Sequence, residues 1–400
     1  MRLCVLASEY PSTTQTFVYE PIEWLRGRGH QVDVVADRRG SLPGASDDRF
    51  PVTVTGRTWL DRGTKLRSLV GSPVRALRGY GRAARSARGS EWSTWEILAR
   101  SLLPPFRAAE NVLAHFGPYG VRWLRAVAVA RKPYAVFFHG YDATSWPREH
   151  PDVYSLLIES GAGFITNGEY LASRLVALGV ARERIAICRY GASTDIDAVT
   201  APPDLTSRRV LTIARLVDKK GVADSITAFA EAQDVLRGSW QYDIVGDGPL
   251  LPALRELARR LGIEHLVQFR GFLSRPETIA TLLQASVFVL ASRTAPNGDT
   301  EGTPVSIIEA ASLGVPVVST LHAGIPEILP AEAAKAGLLV EEGDVAGLAR
   351  ALRLLGGSVS ERRCWGAMNR EHARSRYSAA SHVAMLLEGI ARVARPPRAA

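Results

Sequence analysis

The sequence predicts an α/β protein built from two doubly wound, Rossmann-like domains that face a central cleft. Three observations carry this expectation. Short apolar runs of four to seven residues alternate with amphipathic stretches along the whole chain. The length of 400 residues suits two or three domains. The composition shifts once, at Ala201-Pro202-Pro203-Asp204, dividing the chain into halves with a strand series each.

The first strand is expected over residues 3–7, followed by an amphipathic helix over 17–28. Gly29-His30 breaks it before a second strand over 31–36. Further strands are expected at 135–138, 163–166 and 185–188. In the second half they fall at 209–214, 240–245, 267–269, 287–291 and 315–319, with helices at 250–261 and 305–313 among them. The expected organisation is an N-terminal Rossmann-like domain over 1–198, a linker over 199–208, and a C-terminal Rossmann-like domain over 209–380. A C-terminal helix and tail, 381–400, can pack back on the N-terminal domain.

Composition narrows the function classes. At 46% hydrophobic and 22% charged the chain is globular, not disordered. Its net charge of +9 suits an anionic partner of some kind, whether polyanion, acidic lipid or phosphorylated small molecule. Cys4, Cys188 and Cys364 lie far apart, with no Cys/His spacing for zinc and no disulfide framework. No apolar run reaches the ~18 residues of a membrane span, and no signal-peptide core precedes the first strand. A cytoplasmic protein is the expectation, working where it does at the inner face of a membrane.

Residues 62–88 hold eight basic residues and no acid: Arg62, Lys65, Arg67, Arg75, Arg78, Arg82, Arg85 and Arg88. Apolar residues interleave at helical spacing. The segment reads either as a solvated helix face or as a surface for an anionic membrane or polyanion. Aromatic residues are too sparse there for a nucleic-acid platform.

Four constellations can carry chemistry. In Glu301-Gly302-Thr303-Pro304-Val305-Ser306-Ile307-Ile308-Glu309, Thr303 is a good helix cap and Pro304 a good first helical residue. A helix starting there puts its positive end, an anion site, beside Glu301, with Glu309 reaching back toward it. Two carboxylates beside an anion site suit a ligand with phosphates and hydroxyls; a capping and a surface glutamate are the plainer alternative. Arg215 and Lys220 leave the strand at 209–214, five apart, before Gly221. Together they can clamp a diphosphate, or they are ordinary loop charges. His139, in Phe138-His139-Gly140-Tyr141-Asp142, ends a buried strand and is expected to point toward the cleft; a satisfied structural histidine is the plainer alternative. Gly246-Asp247-Gly248-Pro249 is a tight turn, short of a full nucleotide fingerprint.

Taken in order, these motifs resemble the retaining glycosyltransferases of family GT4, which have the GT-B fold. The carriers are Tyr10-Pro11 through Phe17, Arg28-Gly29-His30, His115-Phe116-Gly117, the His139 motif, Arg215 with Lys220, Gly246-Asp247-Gly248-Pro249, Glu301 with Glu309 as an E-x7-E pair, and Gly324-Ile325-Pro326-Glu327. Residues 299–329 are most similar to the colanic-acid and exopolysaccharide branch. The resemblance implies transfer of a hexose-like sugar from a nucleoside-diphosphate-sugar to a carbohydrate or lipid-linked acceptor, with no cofactor and no metal. Asp195-Ile196-Asp197 has the letters of a metal motif but stands near the linker.

The resemblance also assigns roles. Arg215 and Lys220 would hold the diphosphate, and Glu309 the ribose hydroxyls. Glu301 would contact the sugar, with Thr303, Pro304 and Val305 beside the phosphate. Gly271 and Phe272 would lie near the base, and His139 would face the sugar. Asp142 would hold His139 or the acceptor. Two departures stand out: residues 12–17 replace the Gly-Gly pair common in the first loop, and 191–197 carries an apparent insertion. A nucleotide-sugar epimerase or phosphorylase on the same fold, or an inactive membrane- or polyanion-binding assembly protein, are the alternatives.

Overall fold

The computed structural model describes residues 1–12, 15–41, 51–55, 80, 83–84, 92–237 and 239–398. The basic residues of the 62–88 segment lie outside the described residues. The chain forms two compact units, Met1–Cys188 with Val383–Ala400, and Arg189–His382.

The first unit holds a seven-stranded sheet. Its strands are β1 (Arg2–Tyr10), β2 (Gln31–Arg39), β3 (Thr53–Val54), β4 (Asn111–His115), β5 (Tyr134–Phe138), β6 (Gly163–Thr166) and β7 (Ile185–Ile187). They run in the order β3-β2-β1-β4-β5-β6-β7, with every pairing parallel. The chain builds outward from β1 one way and from β4 the other. The neighbours β1 and β4 therefore flank a topological switch point, where loops at the carboxyl ends diverge and leave room for a ligand. All five residues of β5 are buried, as a strand covered on both faces requires. Val136, Phe138, Trp123, Phe106 and Leu98 belong to the core on one side of this sheet.

The second unit repeats the plan with β8 (Arg209–Ile213), β9 (Gln241–Val245), β10 (Val267–Gly271), β11 (Val287–Leu290), β12 (Val317–Thr320) and β13 (Leu339–Val340). The order is β10-β9-β8-β11-β12-β13, all parallel, and the switch point lies between β8 and β11. Every residue of β11 and β12 is buried.

Each strand expected from sequence is present, β6 with its expected bounds and the others with one or both ends shifted by one to three residues. Three were not expected: β3, β4 and β13. β3 and β13 are two residues long, too short for a periodicity to show. β4 reads Asn-Val-Leu-Ala-His, and its apolar run is only three residues. The helix Val305–Leu313 has the bounds its apolar pattern predicts, one residue past the Pro304 start that the Thr303-Pro304 cap pattern suggests. Pro304, not Thr303, occupies the cap position with extended geometry (φ −65°, ψ 113°), and no side chain caps it. The chain is held extended up to that point because Gly302 O accepts the Gly324 N–H. The helix ends, as expected, at Gly314 in the left-handed conformation.

The division between units falls at Cys188/Arg189, ten residues before the expected start of a linker. Residues 189–208 are tied into the second unit. Ala192 N–H donates to Tyr377 O, Asp204 N–H donates to Leu283 O at 2.7 Å, and Arg362 Nε donates to Leu205 O at 2.7 Å. Residues 383–398 are tied into the first: Tyr134 N–H donates to Arg395 O at 3.0 Å, and Arg398 N–H to Ser160 O at 2.7 Å. Among the described residues no helix is long and apolar enough to cross a membrane.

Gly221 marks the tightest approach at the second switch point. Its φ is +57°, and a Cβ there would stand 1.7 Å from the carbonyl oxygen of Ala291, just past β11. Only glycine fits both constraints. Gly221→Ala is expected to lower the unfolding free energy of the second unit by about 2–4 kcal/mol, measured as a shift in urea midpoint at unchanged slope.

Candidate active site

In the second unit the site grows from the carboxyl ends of β8 and β11. Past β8 the chain exposes Arg215, then turns through a short 3₁₀ segment, Asp218–Lys220. Arg215 makes no ion pair among the described residues. The two lysines of that turn divide their work on the loop beyond β11. Lys219 Nζ lies 3.0 Å from Asp299 Oδ2 and donates to Thr300 O at 3.3 Å. Lys220 Nζ lies 2.8 Å from Glu301 Oε1. Glu301 is buried. Burial opposes its ionisation, but Lys220 and Lys219 outweigh that and hold the carboxyl below the usual glutamate range.

The main chain of the same loop is held separately. Glu301 N–H donates to His322 Nε2 at 3.1 Å, and Gly324 N–H donates to Gly302 O at 3.1 Å. Thr303 and Pro304 are buried and Val305 half-buried. They lead into the first turn of the helix, whose N–H groups carry the positive end of the helix dipole.

Glu309 stands on that helix, buried, and faces a residue that sequence reasoning missed. Arg275 Nη1 lies 2.8 Å from Glu309 Oε1, its Nη2 donates to the Ser193 hydroxyl, and its Nε lies 3.9 Å from Asp195 Oδ2. Arg275 thereby ties Glu309 to the segment at 191–197. Burial pushes the Glu309 carboxyl up, Arg275 opposes this and Asp195 adds to it; the balance is raised. Arg275 is the first residue of the helix Arg275–Leu283, announced by a capping box of Ser274 and Glu277. That pattern locates the helix start but carries no sign that the arginine turns toward Glu309.

Gly271 closes β10 at φ +66°, and its carbonyl accepts the Gly246 N–H at 2.8 Å. Phe272 follows with 66% of its surface exposed, a large apolar face with nothing packed over most of it.

In the first unit, the carboxyl ends of β4 and β5 bring two histidines together. His139 Nε2 and His115 Nδ1 are 2.9 Å apart, both buried. The His139 ring lies parallel to Phe137, with centroids 4.6 Å apart, and against Phe116 and Phe17 at 4.6 and 4.7 Å. Asp142 holds this region through its main chain. Its Oδ1 accepts the N–H groups of His139 and Gly140, both at 2.9 Å, and its Oδ2 accepts that of Gly117 at 3.0 Å. Burial pushes the Asp142 carboxyl up to about 6, against the pull of those three donors. Asp142 therefore fixes the backbone that carries His139 and does not touch its ring nitrogens in these contacts. His115 ends β4, a strand whose apolar run of three residues is too short to mark it in the sequence, so the sequence does not single it out as a site residue.

The structure thus joins Lys220 to Glu301 and sets Thr303, Pro304 and Val305 beside them. It pairs Glu309 with Arg275, leaves Arg215 and Phe272 open, and keeps His139 in the first unit. Among the described residues, no group of three or more His, Cys, Asp or Glu side chains is arranged to hold a metal ion.

Two doubly wound parallel sheets with charged loops at their carboxyl ends make up the GT-B fold. The description "Glycosyl transferases group 1" fits residues 195–371. The chain is 33% identical to the colanic acid biosynthesis glycosyltransferase WcaL of Escherichia coli, over 88% of this chain and 90% of that one. It is 29% identical to the amylovoran biosynthesis glycosyltransferase AmsK of Erwinia amylovora, with the same coverage. Among solved structures it is similar to HepE of Anabaena in complex with UDP and glucose, with a TM-score of 0.71, 18% identity, and 98% and 99% of the two chains covered. The protein belongs to the group 1 glycosyltransferases.

Two outcomes test this electrostatic layout. Lys220→Met leaves Glu301 buried without its nearest cation. It is expected to destabilise the second unit by about 3 kcal/mol at pH 8, and by much less at pH 5, where the now-raised carboxyl takes up a proton. Chemical denaturation at both pH values measures this. For Asp142 the folded value, about 6, lies above the ordinary carboxylate value of 3.8. The folded state then binds the extra proton, so this residue's contribution to stability falls as pH rises from about 4 to about 6. Asp142→Asn is expected to remove that slope when the two stability–pH curves are subtracted.

Proposed function

We propose that the protein moves a hexose-like sugar from a nucleoside-diphosphate-sugar to a carbohydrate or lipid-linked acceptor, with retention of anomeric configuration, in exopolysaccharide assembly. The observation that carries this reading is the buried Lys220–Glu301 contact of 2.8 Å at the second switch point, with Glu309 eight residues on in the same helix-and-loop segment. Lys220 and the exposed Arg215 bring positive charge to the loop that precedes a helix N-terminus. As the glycosidic bond breaks, the leaving diphosphate gains negative charge, and these groups stabilise it without need of a metal ion. Glu301 accepts from sugar hydroxyls and Glu309 from the ribose. Thr303, Pro304 and Val305 offer backbone beside the phosphate, and Phe272 and Gly271 a face for the base. In the first unit His139 is the catalytic candidate, held by Asp142 through the backbone. The relatives are named for colanic acid and amylovoran biosynthesis, and HepE is solved in complex with UDP and glucose; both support the choice of donor and pathway class.

The test is transfer itself. Thermal-shift screening across UDP-, GDP- and ADP-sugars selects the donor, since a ligand of the folded state raises its midpoint. With that donor, product is expected only when acceptor is present; product without acceptor would favour an epimerase. Arg215→Ala and Glu309→Ala are each expected to lower kcat/KM by about 10²-fold or more. Transfer at the wild-type rate in either variant sinks the donor-site assignment. The basic residues of 62–88 are proposed to meet an anionic membrane. Neutralising Arg78, Arg82 and Arg85 is then expected to abolish sedimentation with vesicles of anionic lipid, and unchanged sedimentation refutes it.

A further inference from the structure

The E-x7-E pair accounts for the side chain of Glu301 but not for what sets its main chain. We infer that His322 and Glu342 are positioning residues for Glu301: Glu342 fixes the ring tautomer of His322, and His322 in turn anchors the Glu301 backbone. This rests on the reading of Glu301 as a donor-sugar contact.

His322 follows β12 and is 1% exposed. Its Nε2 lies 3.1 Å from the backbone nitrogen of Glu301. A backbone N–H can only donate, so Nε2 must carry the lone pair. The ring proton then belongs on Nδ1, which lies 2.5 Å from Glu342 Oε1. A neutral imidazole has one donor and one acceptor nitrogen, and the partner of one decides the role of the other. Glu342 thus selects the tautomer that Glu301 needs.

Glu342 is itself oriented. Its Oε2 accepts the Thr294 N–H at 2.8 Å, and its Oε1 takes the Thr294 hydroxyl at 3.4 Å. Thr294 lies just beyond β11 and Glu342 just beyond β13, so the relay binds together the chain leaving three adjacent strands. Lys220 holds the Glu301 carboxylate from the opposite side, beyond β8. Two anchors on one residue, one on the main chain and one on the carboxylate, fix where the carboxylate oxygens stand. Misplacement of such a group by about 1 Å is costly, roughly 10²-fold in rate. Pairing of Lys219 with Asp299 secures the segment just before it, and Gly324 packs its backbone on Gly302, where a Cβ would come within 2.5 Å of the Gly302 carbonyl oxygen.

The tautomer is read directly in the full-length wild-type chain, by long-range ¹⁵N–¹H correlation spectra of the histidine rings, with His322 assigned by loss of its signals in His322→Gln. The expected result at pH 8 is Nδ1 protonated and Nε2 bare, reverting to an Nε2-protonated or averaged ring in Glu342→Ala. A wild-type His322 protonated on Nε2 overturns the inference without need of any active variant. Kinetics give the second arm. His322→Ala is expected to lower kcat by about 10–100-fold while nucleoside diphosphate binding, followed by calorimetry, stays within twofold. His322→Gln, whose Oε1 can accept the same N–H, is expected to recover most of the loss. Equal damage in the Ala and Gln variants, or none in either, overturns the positioning role. Glu301→Gln is run alongside. If it transfers sugar at the wild-type rate, the underlying reading of Glu301 fails; if it is impaired while His322→Ala is not, only the present inference does.

Discussion

Strands buried on both faces have nowhere to put polar chemistry except their ends. In both sheets of this chain the ladder satisfies the backbone along the length of each inner strand, and the side chains of β5, β11 and β12 are wholly buried. What is left is the carboxyl edge, and the reversal of strand order opens that edge at one place per sheet: between β1 and β4, and between β8 and β11. His115 and His139 emerge from β4 and β5. Arg215, Lys220 and the loop carrying Glu301 emerge from β8 and β11. The residues able to do chemistry gather there because the packing of the sheets leaves no alternative.

Within the second unit, two glutamates eight residues apart end in opposite electrostatic states. Both are buried, and burial alone would push both carboxyls up. Glu301 meets the ammonium groups of Lys220 and Lys219 and is held down. Glu309 meets one guanidinium, which Asp195 and Ser193 also engage, and stays up. The overall charge of +9 is therefore a poor guide to the site. There, Lys219, Lys220 and Arg275 each stand within 3 Å of a carboxylate, and Arg215 is the cation that makes no ion pair among the described residues.

The sheet series was legible in the sequence because inner parallel strands read as short unbroken apolar runs. β3, β4 and β13 were not, being two to five residues long and stabilised by neighbours that are remote in sequence. Lys220 and Glu301 could each be placed at the carboxyl edge of a strand, but their pairing with one another appears only in the structure. Arg275 and His322 did not, although the cap before Arg275 and the motif around His322 are plain in the sequence. Their partners, Glu309 and the Glu301 backbone, are 34 and 21 residues away, and no local pattern encodes which way a side chain turns once the loop is formed. Thr303 illustrates the reverse error: its local pattern favours a cap, but contacts between Gly302 and Gly324 keep the chain extended one residue further.

Residues 383–398 complete the first unit, supplying Arg395 to the amino end of β5 and Val393 against Gly163 of β6. That has a kinetic meaning. The second unit, Arg189–His382, is a single uninterrupted stretch and can close as soon as it has been synthesised. The first unit, although its sheet is made earliest, must wait through all of that synthesis for its last pieces. The half that emerges first thus takes its last packing contacts from residues made after the whole second unit, and damage to 383–398 falls on the first unit's packing.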